Sequence, residues 1–577
     1  MTTQQPERPG RTRQPLCIAL AVNALLFAAV YVLWTPRFAT NDDVAMMLQA
    51  AGVSSDSQAT AYLLWTNVAI GGPLKGLYAV APAVPWYPLY LVKCLFLAHV
   101  AVLWVLLRQE RWVRALALYL SYFLVIGAHL LLNLQFTTVG CAASGAGLLL
   151  LLSMLEEPAP GPARGRALPA AAAILLIALG SMIRWLSFAL AVLMFLPVLA
   201  LRVRPQRAKG LLFPLAAFAA AMALSLALHA ADRAARGRDE GWRLFTQYDP
   251  LLCRFVDDNV LEGRTEENLR ATVGKVGWSA NDYRMLYRYW FLDQRVFPIS
   301  RLRALLATVP AVKTDIPLAR ALRTGAGILS ERWAWHALAV AVLALLWRRA
   351  GRAAWAEVAV SALAAGALVL YLVYARRPPP PRVYLPMFVF VAWVGLVQRA
   401  GAAWAGGWSK AARRVALGVA AVLLLVAARW ALASHRWQAR ENRADQAALQ
   451  AALRRLAPAP GQLYVVWGAA FPWPHLAPFA TLDALRGFKT FSLGSAELTP
   501  GPQRTLREFG LRDLHLALAD NGNVFFLCDL RGMFPLYRAY MMEHYGVEVT
   551  AETVFESESF PVFKVRRAGG GRPATNG

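Results

Sequence analysis

The chain has 577 residues, of which 58% are hydrophobic and 16% charged, with a mean hydropathy of +0.41. That is more apolar surface than a water-soluble domain can bury, so lipid is the expected solvent for most of the chain. The formal net charge of +26 does not point to nucleic acid, because the basic residues sit in short clusters between apolar runs and not along one face or tail.

Arginine supplies nearly all of that charge and alanine is abundant, a usage that suggests a GC-rich bacterial genome. Cys17, Cys94, Cys141, Cys253 and Cys528 form no CxxC pair and give no disulfide framework or zinc site.

A spanning helix needs roughly 20 apolar residues. The first candidate, 16–34, follows Arg8, Arg11 and Arg13 and has no small-residue cleavage site behind it, so it reads as an anchor. Further apolar runs occupy 82–107, 112–132, 137–155, 168–183, 185–201, 210–230, 328–347, 354–374, 383–398 and 415–433, eleven in all. The fifth and sixth are separated only by Ser181-Met182-Ile183-Arg184 and read as two tilted spans or a re-entrant hairpin.

Lys and Arg in short loops favour the cytoplasmic side. With the N-terminus inside, that side receives Arg108/Arg111/Arg114, Arg164/Arg166, Arg202/Arg204/Arg207/Lys209, Arg348/Arg349/Arg352 and Arg399/Lys410/Arg413/Arg414. The segments 35–81, 231–327 and 434–577 then face the extracytoplasmic space. Only the run Arg376-Arg377-Pro378-Pro379-Pro380-Pro381-Arg382 departs from the rule.

The expected organisation is a polytopic α-helical membrane part, 1–433, followed by a small extracytoplasmic α/β domain, 434–567, and a disordered tail, 568–577. Within the domain the pattern predicts a helix over 438–456, strands at 463–467 and 523–528, a helix over 533–545 ended by Gly546, and strands around 547–556 and 560–566. The tail is rich in Gly.

The sharpest local feature is Thr40-Asn41-Asp42-Asp43, an acidic pair just beyond the first span. Such residues before Val44-Ala45-Met46-Met47-Leu48 also suit a helix N-terminus. A basic N-terminus, one span, an acidic pair opening the first outer loop, many spans and a C-terminal outer domain together resemble the C-type superfamily of multi-spanning glycosyltransferases. The stretch from Trp65-Thr66-Asn67-Val68 through Gly71-Gly72-Pro73-Leu74 to Pro85-Trp86-Tyr87 is similar to the equivalent segment of a bacterial branch of that superfamily.

The resemblance implies a polyprenyl-phosphate-sugar donor, with an aspartate of the first outer loop as catalytic base or acceptor ligand. The best-known protein mannosyltransferases often carry Asp and Glu here; this chain has Asp-Asp, and Asp43 is the expected base with Asp42 beside it.

Transfer from a phosphate leaving group needs a base within reach of the acceptor hydroxyl and positive charge on the phosphate. Arg184, Arg376, Arg377 and Arg382 fall at the expected outer face and are the candidate phosphate ligands. Arg184, inside an apolar stretch, is equally readable as a snorkelling helix-end residue. Asp257, Asp258 and Asp282 in the long loop are the candidate acceptor cleft. A divalent cation on Asp257 and Asp258 with Asp42 or Asp43 is conceivable chemistry, ordinary surface acids being the simpler reading. Tyr283, Tyr287, Tyr289, Trp290 and Phe291 suit an interfacial belt or sugar stacking.

The sequence contains no GxxxxGK[ST], HExxH or GxSxG motif. The expected activity is glycosyl transfer at a bacterial inner membrane, from a polyprenyl-phosphate sugar to a glycan, lipid or protein acceptor. A polysaccharide polymerase or ligase working through loop arginines, a transporter, and an inactive assembly subunit are the rival readings.

Overall fold

The computed structural model describes residues 13–55, 58–155, 164–203, 208–309, 318–375, 377–398 and 409–568; the expected tail beyond 568 lies outside them. Among the described residues nine helices are long and apolar enough to cross a membrane. They match nine of the eleven expected runs, and the two disputed runs form separate helices, Arg164–Ile183 and Trp185–Val203. A tenth run belongs to a pair, Leu318–Leu329 and Arg332–Arg348, bent by 58°.

The eleventh is the 16-residue helix Pro381–Leu396, shorter than the roughly 20 residues a bilayer demands. Among the described residues, length and composition give nine spans, or ten with the bent pair, close to the eleven apolar runs of the sequence. Pro381–Leu396 is apolar because protein surrounds it, with Tyr384 through Leu396 buried.

Phe136–Leu155 is the axis of the bundle, with nearly every side chain buried. Its small residues explain why. A Cβ added at Gly147 would lie 2.7 Å from the Ala173 carbonyl oxygen, and one at Gly180 would lie 2.0 Å from Ser144 Oγ. Close backbone approach of this kind is how helices associate where lipid supplies no hydrophobic drive.

At one end of the bundle buried charges pair off. Arg202 Nε meets Glu357 Oε2 at 2.7 Å, Gln398 donates to the same oxygen at 2.8 Å, and Arg348 faces Glu110 at 3.3 Å.

At the other end the three long polar segments converge. The last membrane helix does not stop where its apolar run ends: Lys410–Leu456 is one helix of 47 residues, about 70 Å long. No Pro or Gly interrupts 419–456, and the polar half is fastened by Asn442 and Gln446, which donate to the carbonyls of Thr35 and Pro36 at 2.8 Å each.

Two short strands, β1 (Arg37–Phe38) and β2 (Asn133–Leu134), pair in parallel beside this junction. The C-terminal sheet contains β3 (Leu463–Trp467), β4 (Thr490–Leu493), β5 (Val524–Leu527), β6 (Val549–Phe555) and β7 (Val562–Arg567), in the order β4-β3-β5-β7-β6. The first three are mutually parallel, whereas β7 and β6 run antiparallel. The strands expected at 463–467, 523–528, 547–556 and 560–566 are all present. β4, only four residues long, and the helices Pro500–Glu508 and Leu514–Asp520 were not anticipated.

The segment 240–309 shares one hydrophobic core with this sheet. Trp290 is fully buried there, edge-on to Trp467 at 4.6 Å, and its Nε1 donates to His515 Nε2 at 2.6 Å. Phe291 and Tyr283 are buried in the same core, so these aromatics hold a soluble unit together and do not form a membrane belt.

Candidate active site

The pairing of β1 with β2 sets the acidic pair in place, because it carries the backbone of Phe136 to the start of the helix Asn41–Ala51. Thr40 caps that helix in an extended conformation, and Asp42 and Asp43 occupy its first turn, where the helix dipole favours negative charge. Successive helical residues point about 100° apart, so the two carboxylates have different surroundings.

Asp43 is fully buried. Its Oδ2 accepts the Thr40 hydroxyl at 2.9 Å, and its Oδ1 accepts the Tyr87 hydroxyl at 3.1 Å and the Phe136 N–H at 3.0 Å. Burial pushes its pKa up to about 8, the neighbouring charge of Asp42 adds to the rise, and the three hydrogen bonds oppose it.

Asp42 instead lines a cavity of about 750 Å³ between the bundle and the soluble unit. Burial raises its pKa, while the positive charges of Arg382 and Arg184 pull it down, Asp257 raises it, and a hydrogen bond from Trp65 lowers it. Arg184 occupies the single non-helical position between two spans, with its guanidinium 4.6 Å from the Trp65 ring centroid and 5.4 Å from that of Phe136. Flat aromatic faces suit a guanidinium that has left water.

Arg382 and Asp249 also line the cavity. Burial lifts the Asp249 pKa to about 6, against the pull of Arg184 and with help from Asp257 and Asp42. Tyr289, another lining residue, holds a left-handed φ of 61°, a conformation that costs a non-glycine residue about 1 kcal/mol or more and must be imposed by its surroundings.

One side of the cavity is braced by an ion pair. Arg236 meets Asp232 at 2.9 Å and donates to the carbonyls of Leu63 and Thr66 at 2.6 and 2.8 Å. Asp232 in turn accepts the Val68 N–H at 2.8 Å. The segment 63–68 is thus tied to the helix Ala208–Gly237. The opposite wall comes from the C-terminal domain, chiefly Gly468, Trp473 and residues 492–496, the end of β4 and the loop after it.

Of the site residues expected from sequence, Asp42, Arg184, Arg382 and Asp257 meet in this cavity. Asp43 lies behind Asp42, off the lining. Arg377 pairs with Asp257 at 3.1 Å, and Arg376 lies outside the described residues. Asp258 is turned away, buried and bonded to Arg254 at 2.8 Å. Asp282 accepts the Ser279 N–H in a capping box and pairs with His544 at 2.7 Å. The expected acceptor cleft of Asp257, Asp258 and Asp282 is therefore not assembled, since only Asp257 faces the cavity.

The acids Asp42, Asp43, Asp257 and Asp258 do not gather as a cation site either. Among the described residues, the potential ligand group closest enough to hold an ion is Asp282, Glu543 and His544, within 4.8 Å of one another, and none of them lines the cavity.

Asp249, Asp232, Arg236, Tyr289 and residues 492–496 are cavity residues that carry no sequence motif. A faint signal exists for Asp249, an acid within the amphipathic run Leu244–Leu252.

No protein-family model matches the sequence, and no curated protein matches it. Among solved structures, the chain is similar to the apo-state crystal structure of ArnT from Cupriavidus metallidurans, with 11% identity and a TM-score of 0.42 over 95% of this chain and 97% of that one. A likeness of that degree does not establish a shared family. What stands on the structure itself is a multi-pass helical membrane protein with a C-terminal α/β domain closing over a charged cavity.

Proposed function

We propose that the chain is a glycosyltransferase that moves a sugar from a polyprenyl-phosphate carrier to an extracytoplasmic acceptor at a bacterial inner membrane. The observation that carries this reading is the sharing of one cavity by Asp42 and the two arginines Arg184 and Arg382 at the mouth of the helix bundle.

Asp42, not Asp43, is the base. An acceptor hydroxyl gives its proton to the Asp42 carboxylate as its oxygen bonds to the anomeric carbon. The bond from that carbon to the phosphate oxygen breaks, its electron pair leaves with the phosphate, and a single displacement inverts the sugar centre. Arg184 and Arg382 stabilise the charge that grows on the departing phosphate, the role for which a permanently charged planar fork is suited. Burial raises the pKa of Asp42, which makes its ionised form a stronger base than an exposed aspartate.

Asp43 supports this geometry from behind through Thr40, Tyr87 and Phe136. The N-terminus faces the cytoplasm and the cavity faces outward, as the arginine clusters at the far end of the bundle suggest.

The test is to compare lipid-linked and surface glycans in cells carrying the wild type, a deletion, Asp42→Asn or Asp43→Asn at matched expression. Asp42→Asn should reproduce the deletion. Normal glycans from an Asp42→Asn protein would sink the proposal and favour a ligase working through its arginines alone.

A further inference from the structure

Charge is spread unevenly around the cavity. Asp42, Arg184, Asp249, Asp257 and Arg382 all belong to segments before the last membrane helix. The C-terminal domain contributes Gly468, Trp473, Ser492, Gly494, Ser495 and Ala496 to the lining, and no charged side chain among the described residues. One wall of a strongly charged cavity is thus neutral.

Topology makes that wall a natural binding edge. Gly468 follows β3 and the 494–496 loop follows β4, so both leave the carboxyl ends of adjacent parallel strands. From β3 the sheet extends to β4 on one side and to β5 on the other. The crevice outside the carboxyl ends at such a switch point is where open α/β sheets take ligands.

The wall is also held in place before any ligand arrives. Glu497, fully buried, accepts the N–H of Gly494 at 3.4 Å and that of Phe291 at 3.1 Å. Thr505 donates to the Ser55 carbonyl at 3.0 Å, and the Ser54 and Thr490 hydroxyls meet at 2.7 Å. Through Ser54 and Ser55 the loop is fixed to the chain that follows the Asp42 helix.

An anionic acceptor laid on this wall would lose water without gaining a cation. An uncharged polyol would find serine hydroxyls for hydrogen bonds and the Trp473 ring for its C–H face. We infer that the acceptor is an uncharged carbohydrate, bound by the C-terminal wall with its reacting hydroxyl turned to Asp42. This rests on the transfer reading above and adds to it the class of acceptor and the domain that selects it.

Gly494 provides the test, because a Cβ there meets no heavy atom within 4 Å, so Gly494→Trp can project an indole from this wall, and an unfolding midpoint near wild type checks that the fold is kept. The full-length protein in nanodiscs would be given a synthetic polyprenyl-phosphate hexose, with a neutral oligosaccharide and its phosphorylated counterpart as acceptor probes. The neutral probe should be used at least about tenfold better than the phosphorylated one, the scale at which a site lacking the matching polar group discriminates.

Gly494→Trp should raise the KM for the neutral probe by at least about tenfold with donor affinity within about twofold of wild type. Preference for the phosphorylated probe, or a donor affinity that falls while the acceptor KM stays put, overturns the inference and leaves the transfer reading standing. A wild-type protein that does not bind the donor overturns the transfer reading itself.

Discussion

Arginines at the two ends of the helix bundle have different company. At one end Arg202 and Arg348 are held by Glu357 and Glu110. At the other, Arg184 and Arg382 line the cavity, and among the described residues no carboxylate stands within ion-pair distance of either. Both are partly exposed to the cavity, where an anion can reach them. The contrast separates arginines paired inside the bundle from the two that the proposed function assigns to the leaving phosphate, a distinction invisible in a list of basic residues.

That comparison can be broken most directly at the cavity end. Asp42→Asn should cut transfer by about 100-fold or more, the contribution of a positioned base, and replacing Arg184 with Gln should cost about 100- to 1,000-fold by removing charge from the leaving group. Thermal unfolding of both variants in detergent should stay near wild type. A large loss of stability would move Arg184 into the structural group.

At the paired end the signs reverse. Glu357→Ala leaves Arg202 buried without its carboxylate and should destabilise the protein by about 3–5 kcal/mol, while the folded fraction keeps its turnover per molecule. An unchanged unfolding midpoint would show that the pair is not what holds that end.

The soluble unit offers a third handle. Trp290→Ala should cost about 3–5 kcal/mol, because the ring joins the segment 240–309 to the sheet. A loss of activity with no change in stability would contradict a structural role.

The smallest effects concern protons. Asp249 has its pKa raised to about 6, so lowering the pH through about 6 should neutralise a cavity carboxylate and let Asp42 and Arg184 interact more strongly. The acid limb of a pH–rate profile should therefore move in Asp249→Asn, and an identical limb in the variant would remove Asp249 from the site. Burial opposes ionisation of Asp293, but hydrogen bonds from Arg295 and from Tyr540 outweigh it and lower its pKa to about 2. A depressed carboxylate stabilises the fold above its unfolded pKa, and that contribution fades as pH falls from about 4 towards 2. Acid titration of the unfolding midpoint should show the loss in wild type and less of it in Asp293→Asn.

Most of the fold was legible because hydrophobic runs near 20 residues leave few options in lipid. The strands around 463, 523, 549 and 562 stood out for the same reason, each being a short apolar or β-prone run bounded by turn residues. The run at Pro381–Leu396 is the ambiguous one, since its helix is buried in protein and an apolar run of that length reads the same in either solvent. The unbroken helix Lys410–Leu456 was missed because a change from apolar to amphipathic pattern looks like a boundary when nothing in it actually breaks a helix.

The acidic pair and its position after the first span were legible in the sequence alone. Which aspartate faces the cavity was not, because neighbouring residues on one helix turn point to different surroundings, and only the β1–β2 pairing decides that Asp43 goes inward to Tyr87 and Phe136. Nor could spacing along the chain bring Asp249, Arg382 and residues 492–496 to Asp42. Those contacts join segments tens to hundreds of residues apart, and they exist only because the bundle and the soluble unit each bury a core that leaves their polar ends facing one another.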